Sequence, residues 1–519
     1  MSRPLRIAAL LGLAALAAQP AAAKNVITVT LTQILGTTDP AKVKDYTEYL
    51  GAVNTYEGLT TVDGKGNTLP AVADKWTISP DNKVYTFHID PKVTFQDGKL
   101  VKAKDVVWSI RRLLAINKGP AFLFSNLIKP DNVVAKDDAT VEITLDRVFA
   151  PFLGTSALMF VINSDLAMAN ANGEPWAETY LADKSAGTGP YALSSFVRGG
   201  PFAISRYAGY HKGFPAGAID EVRFIPTTDE ATVKALATRG ELGMSSRYQA
   251  PETFDAIGKM KDYKVIANPT ASGYYIKLNH KVPPTDDIHI RRAIAYALDY
   301  ATVREALYPG VGVGGPMAAV FGDAYASDLP LPTQDLKKAA EEVALSKYAG
   351  KGKIPLMHGY VASTKFEEEV GLLLKSALDP LGFDITLRPF PWNVLTEMAN
   401  KPENSPASVQ IFNGPTYPSP DSIFYVQYHS KAAGTWSSMS WMQDPEIDAM
   451  IDTARGEVDV GKQNVIYKAL QKKIVADQTD VFVLTATERH AIHRCLTGYQ
   501  WSPIQSFGYN FSKFSWTCQ

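Results

Sequence analysis

The sequence predicts a mixed α/β protein of two or three interleaved units, and three observations lead there. At 519 residues the chain exceeds what one hydrophobic core comfortably organises. Strand segments of period two alternate with helical stripes of period 3.6 along most of its length. Finally, "KIPLMHGYV", "KFEEEVGLLLKSALDPLG" and "FDITLRPF" follow one another as strand, helix and strand, the usual source of parallel sheet. No repeat and no low-complexity linker divides the parts, so the units are expected to interleave.

The first residues stand outside this fold. Arg3 and Arg6 precede an apolar run from Ile7 to Ala18, then Gln19, Pro20 and Ala21-x-Ala23. That pattern is a secretory signal cut near Ala23, giving a periplasmic mature chain. The run is too short for a membrane anchor, which needs about 20 apolar residues. No cysteine near the cut offers a lipid attachment point.

From Lys24 the segment "NVITVTLTQ" reads as a strand, followed by the turn "LGTTDP" and a helix over Tyr46–Tyr56. Tyr85, Phe87 and Ile89 alternate with polar residues as a half-buried strand, and Asp97-Gly98 marks a tight turn. Val106, Ile110, Leu113 and Leu114 then form a helical stripe. "VFAPFLGTSALMFVI" is apolar but broken by Pro151 and Gly154, which suits core rather than membrane. "AGTGPYALSSF" halts the chain at a Gly-Thr-Gly-Pro knot and starts a strand that pairs with "FAISRY". Beyond it, "DEVRFIPTTDEATVKALATRGELG" reads as strand, cap, helix and a stopping glycine. "SGYYIKLN" reads as a strand with Tyr274, Ile276 and Leu278 on one face. "IHIRRAIAYALDYATVREALYPG" reads as one long helix, and the region from Asp444 to Asp477 is mostly helical.

Composition narrows the function. Lys plus Arg number 52 against 53 for Asp plus Glu, without a basic tract, so no nucleic-acid partner is expected. The two cysteines, Cys495 and Cys518, in an exported chain point to a disulfide. His490, His493 and Cys495 lie close in sequence. In an extended segment, however, His490 and His493 face opposite sides, which argues against a metal site. No G-x-S-x-G, H-E-x-x-H, C-x-x-C or Walker loop is present. "GVGVGG" satisfies the dinucleotide pattern in letters only, since it follows a helix and runs into Pro316. No cofactor and no enzymatic activity are expected.

A binding protein fits better. The chain resembles the extracytoplasmic solute-binding proteins of family 5, which serve ATP-driven importers for peptides, nickel complexes and opines. The resemblance spans nearly all of the mature chain. It rests on the segment from Asn54 to Ile110, with Phe95-x-Asp97-Gly98 before "DVVWS", then "GTGPY" at Gly187–Tyr191, "YYIKLN" and "RRAIAYALD", in the family's order. It implies a two-lobed periplasmic binding protein (type II, cluster C) with an extra domain. One lobe would comprise 24–58, 187–281 and 486–519, the extra domain 59–186, and the second lobe 282–485. Gly187–Tyr191 would be the corner where the chain re-enters the first lobe. The implied partners are a small solute and an inner-membrane permease, with the receptor acting as a monomer.

The resemblance breaks at the ligand clamps of the dipeptide-binding members. Where they carry a Trp and then an Asp, "IFNGPTYPSPD" has Asn413 and, near the Asp position, Thr416. Where they carry an Arg for the peptide carboxylate, "HGYVASTKF" has Tyr360 and Val361. The expected ligand is therefore a polar neutral or anionic compound with an apolar or ring surface, opine-like or peptide-like. The candidate contacts are Thr38, Arg247, Tyr274, Asn413, Tyr417 and Trp436. A nickel or other metal-chelate receptor is the alternative, with His429 nearby.

Overall fold

A computed structural model describes residues 24–362, 364–502 and 506–518. The secretory signal at 1–23 lies outside these residues.

Eleven strands form one sheet through both halves of the molecule. From one edge the order is Phe383–Phe390, Ile354–Val361, Ser408–Asn413, Tyr263–Leu278 and Asp480–His493. It continues with Leu242–Met244, Val26–Leu31, Glu221–Pro226, Phe202–Arg206 and Tyr191–Phe196. Gly312–Val313 adds a short pairing on Asp480–His493. The strand–helix–strand segment read from sequence is present: Ile354–Val361 lies parallel to Phe383–Phe390, in register from Ile354↔Phe383 to Val361↔Phe390.

Two strands are long enough to belong to both halves. Tyr263–Leu278 has 16 residues and Asp480–His493 has 14, and they pair antiparallel. At one end Tyr263 faces His493, and at the other Lys277 faces Asp480. Between Pro269 and Gly273 the pairing lapses. There the Thr270 hydroxyl donates to the Ala486 carbonyl at 2.8 Å, replacing the missing ladder.

Each half has its own core. Ile27, Val29, Leu31, Tyr191, Phe224 and Phe511 pack together in the first. Ile276, Ile290, Ile294, Val370, Leu374 and Val483 do so in the second. A third body, with sheet order Ala73–Ile78, Val84–Ile89, Thr140–Thr144, Val133–Ala135, packs beneath the Ala103–Ile116 helix. The apolar stretch at 148–162 belongs to it, with Phe149, Phe152, Leu158 and Met159 buried.

The glycine knot has a steric reason. A Cβ on Gly187 would overlap the Thr55 carbonyl oxygen, and one on Gly189 would stand 2.5 Å from the Asn54 carbonyl oxygen. Only glycine lets this corner lie against the end of the Tyr46–Thr55 helix. The Gln96 amide fastens the corner, donating to the Thr55 carbonyl at 2.9 Å and to the Tyr191 carbonyl at 2.7 Å.

One reading is revised. The segment from Ile288 is not one helix, because the regular turn ends at Ala297 and Asp299 starts a new one by accepting from the Thr302 amide at 3.0 Å. The region after Asp444 is mostly helical as read, in two helices, Pro445–Gly456 and Val460–Ala476. At the C-terminus Cys495 and Cys518 are joined in a disulfide beside the Leu496–Thr497 and Ser515–Trp516 pairing.

Candidate functional site

The two halves meet over a cavity of about 320 Å³. Three helices begin at its wall: Tyr46–Thr55 and Glu230–Thr238 from the first half, Lys365–Leu378 from the second. A second chamber of about 200 Å³ adjoins it and shares Glu230, Tyr248, Thr364 and Phe412.

Each helix start contributes one carboxylate. Asp45 caps its helix, accepting with Oδ1 from the amides of Thr47 at 3.0 Å and Glu48 at 3.1 Å. Glu230 accepts with Oε1 from the Ala250 amide at 3.0 Å. Glu367 accepts with Oε2 from the Val361 amide at 2.7 Å. In each case one oxygen is fixed by backbone; among the described residues the second oxygens of Glu230 and Glu367 have no hydrogen bond, that of Glu230 being itself buried, while the Trp392 indole stands beside the Asp45 carboxylate. Asp45 is 7% exposed and Glu367 3%. Burial pushes the Glu367 carboxyl up to about 8, and it raises Asp45 above its ordinary value despite its helix-cap hydrogen bonds and the nearby Lys44 charge.

Aromatic side chains form much of the remaining wall. Tyr46 and Tyr248 come from the first half, Trp392, Phe412 and Trp436 from the second. The rings of Trp392 and Trp436 meet edge to face at 5.1 Å between centroids, and Tyr248 reaches across to Phe412 at 5.9 Å. The Trp436 indole N–H donates to the Lys44 carbonyl at 3.3 Å, so a hydrogen bond also crosses the cleft. One further polar atom at the wall, Gln33 Oε1, is buried without a partner among the described residues, and the Trp392 indole stands beside Asp45.

The residues singled out from sequence distribute unevenly around this site. Trp436 lines the cavity. Arg247 sits beside it at two small voids by the lapse in the long strands. Its guanidinium lies 2.9 Å from Glu488 and stacks on the rings of Tyr46 and Tyr248, at 4.4 and 4.8 Å. It is neither a surface arginine nor an unengaged anion contact. Burial works against the Glu488 charge, but His490 and Arg247 together hold its carboxyl well below the usual range.

The other four candidates are held in packing. Tyr274 is fully buried against Phe366 and Phe412, its hydroxyl without a partner. Asn413 is buried at the end of its strand, and neither atom of its amide has a partner. Tyr417 is buried against the third body, its hydroxyl donating to Asp421 at 2.5 Å. Thr38 donates to the Leu181 carbonyl at 2.9 Å and so ties the first half to the third body. Val361, read as standing where an arginine would be, does line the cavity. The lining also departs from the neutral or anionic solute expected. No acid lies between Val409 and Pro420, yet three acids arrive from other parts of the chain.

The comparisons with known proteins agree with this architecture. Residues 67–435 match the bacterial extracellular solute-binding proteins, family 5 Middle. A probable D,D-dipeptide-binding periplasmic protein of Escherichia coli is 25% identical over 489 residues, 92% of each chain. A Helicobacter pylori periplasmic binding protein solved with a peptide superposes with a TM-score of 0.86 at 20% identity, over 95% of this chain and 98% of that one. A Campylobacter jejuni protein in complex with Ni(L-His) gives 0.82 at 17% identity, over 95% and 100%. With the match covering well over half its length, this chain belongs to the bacterial extracellular solute-binding proteins of family 5.

Proposed function

We propose that the chain is the solute receptor of an ATP-driven importer. Its signal segment is removed near Ala23, and the mature protein works in the periplasm. There it closes its two halves over a small organic solute and presents the closed form to an inner-membrane permease. The observation that carries this reading is the cavity itself, lined by both halves and bridged by Trp436 on Lys44. The lapse in the two long strands supplies the place to bend, since three residues there are free of the ladder. Members of the family are solute-binding proteins rather than enzymes. The expected division, with 24–58, 187–281 and 486–519 in one lobe, 282–485 in the other and 59–186 aside, gives the moving bodies.

The nickel-chelate alternative draws support from the Campylobacter jejuni neighbour. Its local support is thinner. His429 is buried with Nδ1 accepting from the Lys431 amide, near Asp448 and Asp452, and is not among the cavity residues.

The test is direct. Protein purified from its native periplasm, denatured and extracted, should release a stoichiometric small molecule identifiable by mass spectrometry. Refolded protein should contract on adding that molecule back, as read by small-angle scattering. Absence of any solute-dependent contraction would remove the receptor reading.

A further inference from the structure

The receptor reading leaves the solute's chemistry open, and the cavity wall constrains it. Among the described residues, Glu230 and Glu367 each present one carboxylate oxygen that no protein donor satisfies, and Asp45 turns its second oxygen toward the cavity with only the Trp392 indole beside it. Two of these side chains are more than nine-tenths buried. Among the described residues, no Lys, Arg or His side chain lines the 320 Å³ cavity. The adjoining chamber holds one cation, Lys365, which is exposed and lies 3.5 Å from Glu369. Arg247, beside the cleft, is committed to Glu488.

The opposite reading has to be weighed, because helix starts attract anions. Here three helix starts do face the cavity. Asp45 caps the first, Asp229 caps the second, and Glu367 sits in the first turn of the third, so an acid of the protein answers the positive end of each helix dipole before any ligand enters. An anionic solute would meet acids on both sides of the cleft and, among the residues that line it, no base, the exposed Lys44 already acting on Asp45. A cation would meet carboxylate oxygens still able to accept, together with the Gln33 side-chain oxygen and the ring faces of tyrosine and tryptophan.

We infer that this receptor takes a small organic cation, an ammonium or guanidinium group on an apolar or aromatic body, and needs no carboxylate on its ligand. The cationic group donates to the free oxygens of Glu230 and Glu367 and to the Asp45 carboxylate, and the apolar body lies against Trp392, Trp436 and Phe412. Because Glu367 belongs to one half and the other two acids to its partner half, a bound cation draws the halves together. This rests on the receptor reading, and it fails separately from it.

The experiment uses the mature full chain, unfolded to strip any solute and refolded. Calorimetry measures its binding to matched trios on one skeleton: tyramine, tyrosol and 4-hydroxyphenylacetate, then agmatine with its neutral and acidic counterparts. At least one amine or guanidine should bind about tenfold or more tighter than its matched alcohol and acid. Glu367→Gln and Asp45→Asn should each weaken that amine by about tenfold while leaving the circular dichroism of the fold unchanged. An alcohol or acid binding as well as its amine overturns the inference but leaves the receptor intact. So does an amine affinity indifferent to both substitutions, or no amine binding at millimolar concentration while the natural extract still contracts the protein.

Discussion

Asp39 and Asp45 lie six residues apart on the same loop, both buried, and they live in opposite circumstances. Asp39 is fully buried and gives both oxygens to the Arg112 guanidinium, each at 2.7 Å. Arg112 is equally buried and also donates to the Trp176 carbonyl at 2.7 Å. Asp45 spends one oxygen on a helix cap and faces the cavity with no ion pair, only the Trp392 indole and the exposed Lys44 near its carboxylate. A buried carboxylate with its cation built in serves the fold. One without a buried ion-pair partner raises the energy of the empty state, and a ligand can recover that energy.

The comparison breaks most sharply at Arg112. Arg112→Met strands Asp39 without a partner and should destabilise the protein by about 3–5 kcal/mol in chemical unfolding. Solute affinity of the folded fraction should hardly change. A loss below about 1 kcal/mol would mean that the pair adds nothing beyond packing.

Glu367→Gln tests the other side. The folded-state carboxyl titrates at about 8, above the ordinary value of 4.5, so the folded protein holds the proton more tightly than the unfolded chain. Stability is then fully present below about 4.5 and is lost as pH rises toward 8. The ligand-free wild type should lose roughly 1–3 kcal/mol more than the Gln variant between pH 5 and 8. Asp45 and Glu48, also raised, act in the same direction, while Glu57 and Glu488, both lowered, act oppositely. All four are common to both proteins and cancel in the difference. Parallel pH profiles would show that Glu367 is not buried as a charge.

Thr38→Val asks whether an expected cleft residue is an anchor instead. Removing its hydrogen bond to the Leu181 carbonyl should cost about 1 kcal/mol of stability and leave solute binding alone. A fall in affinity without a fall in stability would return Thr38 to the site. The smallest effect belongs to Trp436→Phe, which keeps an aromatic wall and removes the N–H on the Lys44 carbonyl. A shift of about 0.5–1 kcal/mol toward the open form should appear in solution scattering of the ligand-free protein.

Much of the fold was legible because local chemistry decides it. The parallel pair around Lys365–Leu378 and the Asp97-Gly98 turn each follow from residues adjacent in sequence; the Gly187–Tyr191 knot stood out as glycines, while the reason for them, the distant Tyr46–Thr55 helix, did not. The disulfide follows from there being only two cysteines. The over-long helix from Ile288 shows where periodicity alone misleads: the apolar stripe continues past Ala297, while Asp299 ends the turn by recapping the chain. The site was less legible. Arg247 and Glu488 are 241 residues apart, and nothing local announces that one answers the other. Asp45, Glu230 and Glu367 look in sequence like ordinary helix-start acids, and they do cap or brace helices. Their second role appears only when three distant helix starts converge on one cavity. Trp436 was recoverable because a tryptophan among small polar residues stands out; Tyr417, equally conspicuous, serves packing instead.

The lapse in the long strands between Pro269 and Gly273 separates two properties that are usually tuned together. Thr270, Ala271 and Ser272 lie outside the solute cavity, so as the bend proposed above they would set how often the receptor visits its closed shape and not what that shape prefers. Apparent affinity is the intrinsic affinity scaled by the competent fraction of the population. Stiffening or loosening these three residues therefore multiplies every dissociation constant by one common factor. The ranking of ligands stays as it was. A receptor built this way can be retuned to scarce or abundant supply without relearning what it recognises.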